Sequence, residues 1–127
     1  VYKRQGIYSL DGLTGKINWK FTPIDRCAEE QKPACDVGIS ASLSSTNDLV
    51  IGGGLDGWIY VLDKNNGKLL WEFNTNSDFS NLAGIKAHGG SIESDGPVVL
   101  DNNIFINSGY LYGGRLGGNV LLNFELD

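Results

Sequence analysis

The sequence predicts an all-β fold, a partial β-propeller built from four-stranded antiparallel blades, with about two blades present. Three observations predict it. First, "IYVLDKNNGKLLWEF" (Ile59 to Phe73) occurs almost twice: "IYSLDGLTGKINWKF" (Ile7 to Phe21) matches it at eight of fifteen positions, 52 residues apart. Self-similarity at such a period marks stacked supersecondary units. Second, apolar residues alternate with period two, and no helical periodicity stands out. Third, the chain carries eighteen glycines in 127 residues, well above the average share of about 7%, which calls for many tight turns.

The elements follow in order. In the first copy Ile17, Trp19 and Phe21 alternate with Asn18 and Lys20, and in the second Leu69, Trp71 and Phe73 repeat the pattern. Each triplet predicts one buried stripe on a strand. Upstream, "WIYVL" (Trp58 to Leu62) is apolar throughout, as suits a strand covered on both faces. Between the strands lie "DGLTG" and "DKNNG". Asp11 and Asp63 are suited to accept turn N–H groups, and Gly15 and Gly67 to take positive φ. Each copy is therefore read as a hairpin. "VGISASLS" (Val37 to Ser44) and "DLVIGGG" (Asp48 to Gly54) supply two strands before the second hairpin. "GPVVL" (Gly96 to Leu100), "NIFINSG" (Asn103 to Gly109) and "GNVLLNFEL" (Gly118 to Leu126) supply three strands after it.

Four antiparallel strands recurring every 40 to 50 residues or so describe a propeller blade. Without the nine residues from Cys27 to Cys35 the interval falls from 52 to 43, so that segment reads as an inserted loop. The predicted divisions are an outer hairpin over 1–23, a cysteine-bracketed loop over 24–36, a complete blade over 37–74, an inter-blade loop over 75–95, and three strands of the next blade over 96–127. A single blade cannot cover its own faces, so its neighbours must. Burying each Trp face with its flanking Ile, Leu and Phe against the next blade would contribute several kcal/mol at about 25 cal/mol per Å². Unpaired outer edges invite association, including rings closed by several copies.

Charge and composition exclude several classes. The net charge of −5 argues against a nucleic-acid surface. No apolar run approaches the roughly 18 residues of a membrane helix. The chain has no methionine and opens at Val1 in what reads as mid-strand sequence, as expected of a section of a longer precursor. Cys27 and Cys35 bracket "CAEEQKPAC" and are either free thiols or, the reading favoured here, a short-loop disulfide contributing about 2.5 kcal/mol. A disulfide points to an oxidising compartment such as the periplasm. A zinc site would need more ligands than these two and the single His88, and no metal ligand set is assigned.

Other motifs are weighed the same way. "GGGLDG" (Gly52 to Gly57) has the G-x-G-x-x-G spacing, but a β-rich run follows where a dinucleotide fold needs a helix, so a hairpin turn is expected. "DKNNG" places glycine one residue early for a calcium loop. "GIKAHGGSIESDGP" (Gly84 to Pro97) joins one blade to the next, and such crossings line one end of the central channel. His88 is a residue type that can serve as a base, although a lone surface histidine is commoner, and Glu93 and Asp95 are carboxylates in the same loop. No catalytic base is assigned. Arg115 sits among glycines in an expected exposed loop.

The two tryptophan hairpins resemble the tryptophan-docking repeat of pyrroloquinoline-quinone (PQQ) enzymes, through their Leu-Asp, Gly-Lys and Trp-x-Phe positions. "GGSI", "GPVV", "NSGY" and "GNVLL.F", with "GISAS" and "GGLDGWIYVLD", are similar to polyvinyl-alcohol-dehydrogenase-like quinoproteins. The resemblance implies an eight-bladed propeller and a periplasmic enzyme oxidising primary or secondary alcohols. It implies hydride transfer to PQQ assisted by Ca²⁺, with electrons leaving to a cytochrome c. On that reading Lys86 would pair with a PQQ carboxylate, and Gly90 and Ser91 would let backbone approach its ring. The adjacent-cysteine pair that some quinoproteins place against the cofactor is not present here, since Cys27 and Cys35 are not neighbours. The competing reading is a non-catalytic propeller scaffold for protein–protein contact, as in outer-membrane assembly lipoproteins.

Overall fold

A computed structural model describes residues 5–81, 83–93 and 95–125. The expected mid-strand start at Val1 and the last residue of the final predicted strand, Leu126, lie outside the described residues. The described chain is all-β, with antiparallel sheets and no α-helix. Strands β1 (Ile7–Leu10) and β2 (Ile17–Phe21) form a hairpin. Strands β3 (Ser44–Ser45), β4 (Leu49–Gly53), β5 (Trp58–Asp63) and β6 (Leu69–Asn74) form a four-stranded sheet in sequential order. A small hairpin pairs β7 (Asp78–Ser80) with β8 (Lys86–His88). Strands β9 (Val98–Leu100), β10 (Asn103–Ser108) and β11 (Val120–Glu125) form a three-stranded sheet. The arrangement is consistent with successive blades of a propeller.

β5 shows why its sequence is apolar throughout. Tyr60 and Leu62 face the first hairpin, in a cluster with Ile7, Trp19, Phe21, Val50 and Leu69. Ile59 and Val61 face the other way, in a cluster with Ile51, Ile92, Ile104 and Ile106, and with Phe73 and Phe124 packed on it. One strand therefore serves two interfaces, with alternate side chains on opposite faces.

The two tryptophan hairpins share an irregularity that the sequence did not reveal. The register slips between Ser9 and Leu10 in one, and between Val61 and Leu62 in the other. These positions are equivalent in the repeat. A β-bulge inserts one residue and inverts the alternation beyond it. The expected single-face triplets are thereby corrected. Ile17 leaves the face of Trp19 and Phe21 and is 59% exposed. Leu69 packs toward the first hairpin while Phe73 packs toward the three-stranded sheet. A second correction concerns Val37 to Ser44, where only Ser44 enters a ladder. Gly38 O accepts the Leu55 amide instead, and the backbone near Ser42 is closely approached by Gly96. The loop expected after β6 contains the β7–β8 hairpin.

The turns behave as their residues require. Asp11 Oδ1 accepts the Thr14 amide and hydroxyl, both at 2.7 Å, and these bonds hold its carboxyl below the ordinary carboxylate range. Asp63 Oδ1 accepts the Asn65 amide at 2.8 Å. Gly15 and Gly67 take φ of 69° and 71°. The Asp63–Gly67 turn also receives its neighbour: Trp19 Nε1–H donates to Lys64 O at 2.8 Å. The Trp19 ring lies so close over Gly67 that a Cβ there would meet it at 2.5 Å, whereas a Cβ on Gly15 would meet nothing within 4 Å.

That contrast gives a matched pair of substitutions. Gly15→Ala should cost about 1 kcal/mol of unfolding free energy from backbone conformation alone. Gly67→Ala should cost about 2–4 kcal/mol, because the Trp19 ring must also be displaced. Urea denaturation of both variants checks this, and equal losses would rule out the ring-on-turn contact.

Candidate functional site

In a sequential antiparallel sheet the turns alternate between two ends. The β3–β4 and β5–β6 turns share one end, where Lys64 Nζ donates to Thr46 O at 2.9 Å. The β4–β5 turn (54–57) lies at the other, together with the segments 24–38, 75–92 and 109–119. Leu55 N donates to Gly38 O, Ile92 N to Gly54 O, and Ser91 N to Leu116 O. Of the candidate functional residues of the sequence, Gly90 and Ser91 lie at this loop end.

Gly90 and Ser91 are buried at its centre. Ser91 Oγ donates to Leu55 O at 2.5 Å and accepts Leu116 N at 3.1 Å. Ser108 Oγ lies 2.9 Å from both the N–H and the C=O of Gly90. Thr75 Oγ1 donates to Gly57 O at 2.6 Å and is 2.7 Å from Ser108 Oγ. Gly90 does permit close backbone approach, but the backbone that approaches is that of Leu116. Buried hydroxyls must be hydrogen-bonded, and these three are, Thr75 and Ser108 to each other and all three to the loops they join.

Lys86 is elsewhere, exposed on β8, beside an open depression of about 330 Å³ shared with Asp78, Phe79 and Ser80. His88 Nδ1 is 2.8 Å from Asp78 Oδ1, and both side chains are exposed. Asp95 lines a separate open depression beside β10. Arg115 pairs with Asp36 at 3.2 Å. The expected disulfide is present between Cys27 and Cys35. Glu93 Oε1 accepts the Ser40 hydroxyl at 3.1 Å, while its Oε2 is buried without a partner among the described residues. Calcium takes about six to eight oxygen ligands. One orphaned carboxylate oxygen does not supply them, and among the described residues no three of His, Cys, Asp and Glu converge. Among the described residues, Lys86 lines the open depression on β8 while Gly90 and Ser91 are buried in the loop network. The described residues alone therefore do not supply the ligand set of the cation that the resemblance implies.

Sequence reasoning missed a charged cluster beside this network. Asp56, in the β4–β5 turn, is 3% exposed. Its Oδ1 accepts Trp58 N at 3.2 Å, and its Oδ2 accepts the Tyr60 hydroxyl at 3.4 Å. Arg26 lies 4.2 Å from the Trp58 ring centroid and grips Glu72 with two bonds of 3.0 and 2.9 Å. Burial raises the Asp56 carboxyl from 3.8 to about 6, against the opposing pull of the Trp58 amide, the Tyr60 hydroxyl and the Arg26 charge. Burial, reinforced by Asp56, drives the Tyr60 phenol well above its ordinary range. The only available sequence signal was a hydroxyl inside the aliphatic run of β5, four residues after an aspartate. An acid this enclosed works within the protein, where it ties a turn to a strand.

The comparisons with known proteins agree with the hairpin motifs. No protein-family model matches the chain. It is 29% identical, over an alignment of 136 residues covering 98% of the chain, to a polyvinylalcohol dehydrogenase of Sphingopyxis sp. strain 113P3. A polyvinylalcohol dehydrogenase of Pseudomonas sp. matches equally, at 29% over 133 residues. A quinoprotein ethanol dehydrogenase of Pseudomonas aeruginosa is 33% identical over 66 residues, or 52% of the chain. The chain spans about a fifth (21%) of the length of the two polyvinylalcohol dehydrogenases. Its resemblance to quinoprotein alcohol dehydrogenases is thus borne out, and the similarity to the polyvinyl alcohol group extends along nearly all of it.

The titration of Asp56 gives a pH prediction. Its folded value lies above its unfolded one, so the fold holds this proton more tightly. The associated stability is present below about pH 4 and is lost as pH rises through about 6. The rise to about 6 corresponds to about 3 kcal/mol. Asp56→Asn keeps an acceptor for Trp58 N and removes the titration. Between pH 4.5 and 7.5 its stability, read by urea denaturation, should fall by about 2 kcal/mol less than that of the parent, since part of the effect is already lost at pH 4.5. Superimposable pH profiles would contradict the assignment.

Proposed function

We infer that the chain is a section of the eight-bladed propeller of a PQQ-dependent alcohol dehydrogenase acting on polyvinyl alcohol or another secondary or primary alcohol. The observation that carries this reading is the alignment of 98% of the chain with polyvinylalcohol dehydrogenases. Support comes from the packing, in which each sheet needs the next to cover its apolar face. The central loop end, together with Lys86 exposed on β8, is this section's contribution to the cofactor's surroundings. PQQ and Ca²⁺ are then held by the complete protein, with further sheets supplying the remaining ligands. The 1–23, 24–36, 37–74, 75–95 and 96–127 divisions are retained as its blade and loop boundaries. The disulfide supports a periplasmic location, where a cytochrome c takes the electrons. The exposed apolar face of β9 and β11, with Val98, Leu100 and Leu121, is covered by another sheet, from the same protein or from a second copy.

One observation favours the competing reading, a non-catalytic scaffold. The hydroxyl of Ser91 and the backbone groups of Gly90 are consumed inside the loop network. The two readings separate on the complete protein. PQQ with Ca²⁺ should shift the quinone absorbance, and polyvinyl alcohol should then drive dye reduction. Lys86→Ala should raise the PQQ concentration needed for half-maximal shift by about tenfold, the loss of roughly one charge-assisted contact. No absorbance change at saturating PQQ would overturn the enzyme reading in favour of the scaffold. The 127-residue chain by itself should retain no PQQ on dialysis.

A further inference from the structure

The disulfide-closed loop carries a charged residue on each shoulder. Arg26 immediately precedes Cys27, and Asp36 immediately follows Cys35. The two shoulders reach different sheets. Arg26 pairs with Glu72 on β6 and covers Trp58 on β5, both in the four-stranded sheet. Asp36 accepts from Arg115 Nη1 at 3.2 Å, in the loop joining β10 to β11 of the three-stranded sheet. Between the shoulders the cysteine Cα atoms are 5.6 Å apart. The loop is also ordered within itself, through Cys35 N to Gln31 O at 2.9 Å and the Lys32–Glu29 pair at 2.9 Å.

Magnitudes explain why the covalent link matters. A partly exposed ion pair contributes little on its own, because two long side chains lose freedom to form it. Cross-linking the segment removes much of that disorder in advance. Once one shoulder is seated, the other is presented to its partner as an intramolecular contact at high effective concentration. Without the link, the nine residues from Cys27 to Cys35 separate the two anchors as an open chain.

We propose that the Cys27–Cys35 loop is a redox-removable clasp that fixes the loop ends of two consecutive sheets to each other. A small dithiol releases it. The dithiol supplies two electrons and two protons, the Cys27–Cys35 bond breaks to two thiols, and the dithiol becomes its own disulfide. A depression of about 340 Å³ lined by both cysteines, Pro33 and Val37 gives the reagent access. Release frees Arg26 and Asp36 to part, while the strands, held by their own ladders and apolar clusters, stay folded.

Amide hydrogen exchange of the full chain, oxidised and after treatment with dithiothreitol, tests the proposal. The 54–58 turn beneath Arg26 and the 109–119 loop should both exchange at least about fivefold faster on reduction, with 49–53 and 59–62 unchanged. Arg26→Gln should loosen 54–58 in the oxidised protein, and Asp36→Asn should loosen 109–119. Cys27→Ser/Cys35→Ser should reproduce the reduced pattern; if that variant does not fold, reduction of the folded protein carries the test. Unaltered exchange in either segment overturns the clasp, since a clasp must act on both sheets. Loss of protection in every strand overturns it too, because the disulfide would then be a staple of the whole fold.

Discussion

Everything in this structure rests on the inability of a small sheet to hide both of its own faces. The contact that answers it is the Trp19 ring lying over Gly67, with the indole N–H bonded to Lys64 O. The ring is half-buried against the turn and its one polar group is satisfied, which is the condition for a tryptophan to be useful in an interface. The receiving turn is made for it. Asp63 closes the turn, and Gly67 leaves the space a side chain would fill. A sheet therefore advertises its place in the stack with a turn as much as with a strand.

The loop end follows a different logic. The apolar clusters align the sheets, but they are non-directional. Orientation at the loop end comes from hydroxyls: Thr75, Ser91 and Ser108 are buried and bonded to carbonyls and amides of three separate segments. Such a network is rigid because each lost partner strands a buried polar group. Arg26 and Asp56 add charge at the margin of the same region. Gly90 and Ser91 sit inside this network, with their backbone and hydroxyl groups bonded to the loops around them.

Much of the architecture was legible in the residues. The repeated Asp-to-Gly turns, the apolar run of β5 and the alternation in β2 and β6 are local signals, and local signals survive in one sequence. What was not legible depends on pairing between strands. A bulge is set by the ladder opposite, so the reversal of Ile17 and Leu69 left no mark on the triplets themselves. β7 and β8 are three residues each in polar sequence, below the length at which alternation means anything. The Arg26–Glu72 contact spans 46 positions, and no spacing rule reaches that far. At the candidate site, the burial of Ser91 and Gly90 was not legible, because burial is a property of the neighbours.

The repeated bulge has a consequence for how such a chain can grow. Because it turns Leu69 back toward the preceding hairpin while Phe73 points onward, every unit has a distinct front and rear. A copy of the segment spliced in tandem meets a matching surface on both sides, whereas one inserted in any other frame meets none. The array is thus a directional alphabet with a single reading sense, and lengthening it by gene duplication requires no invention of a new interface.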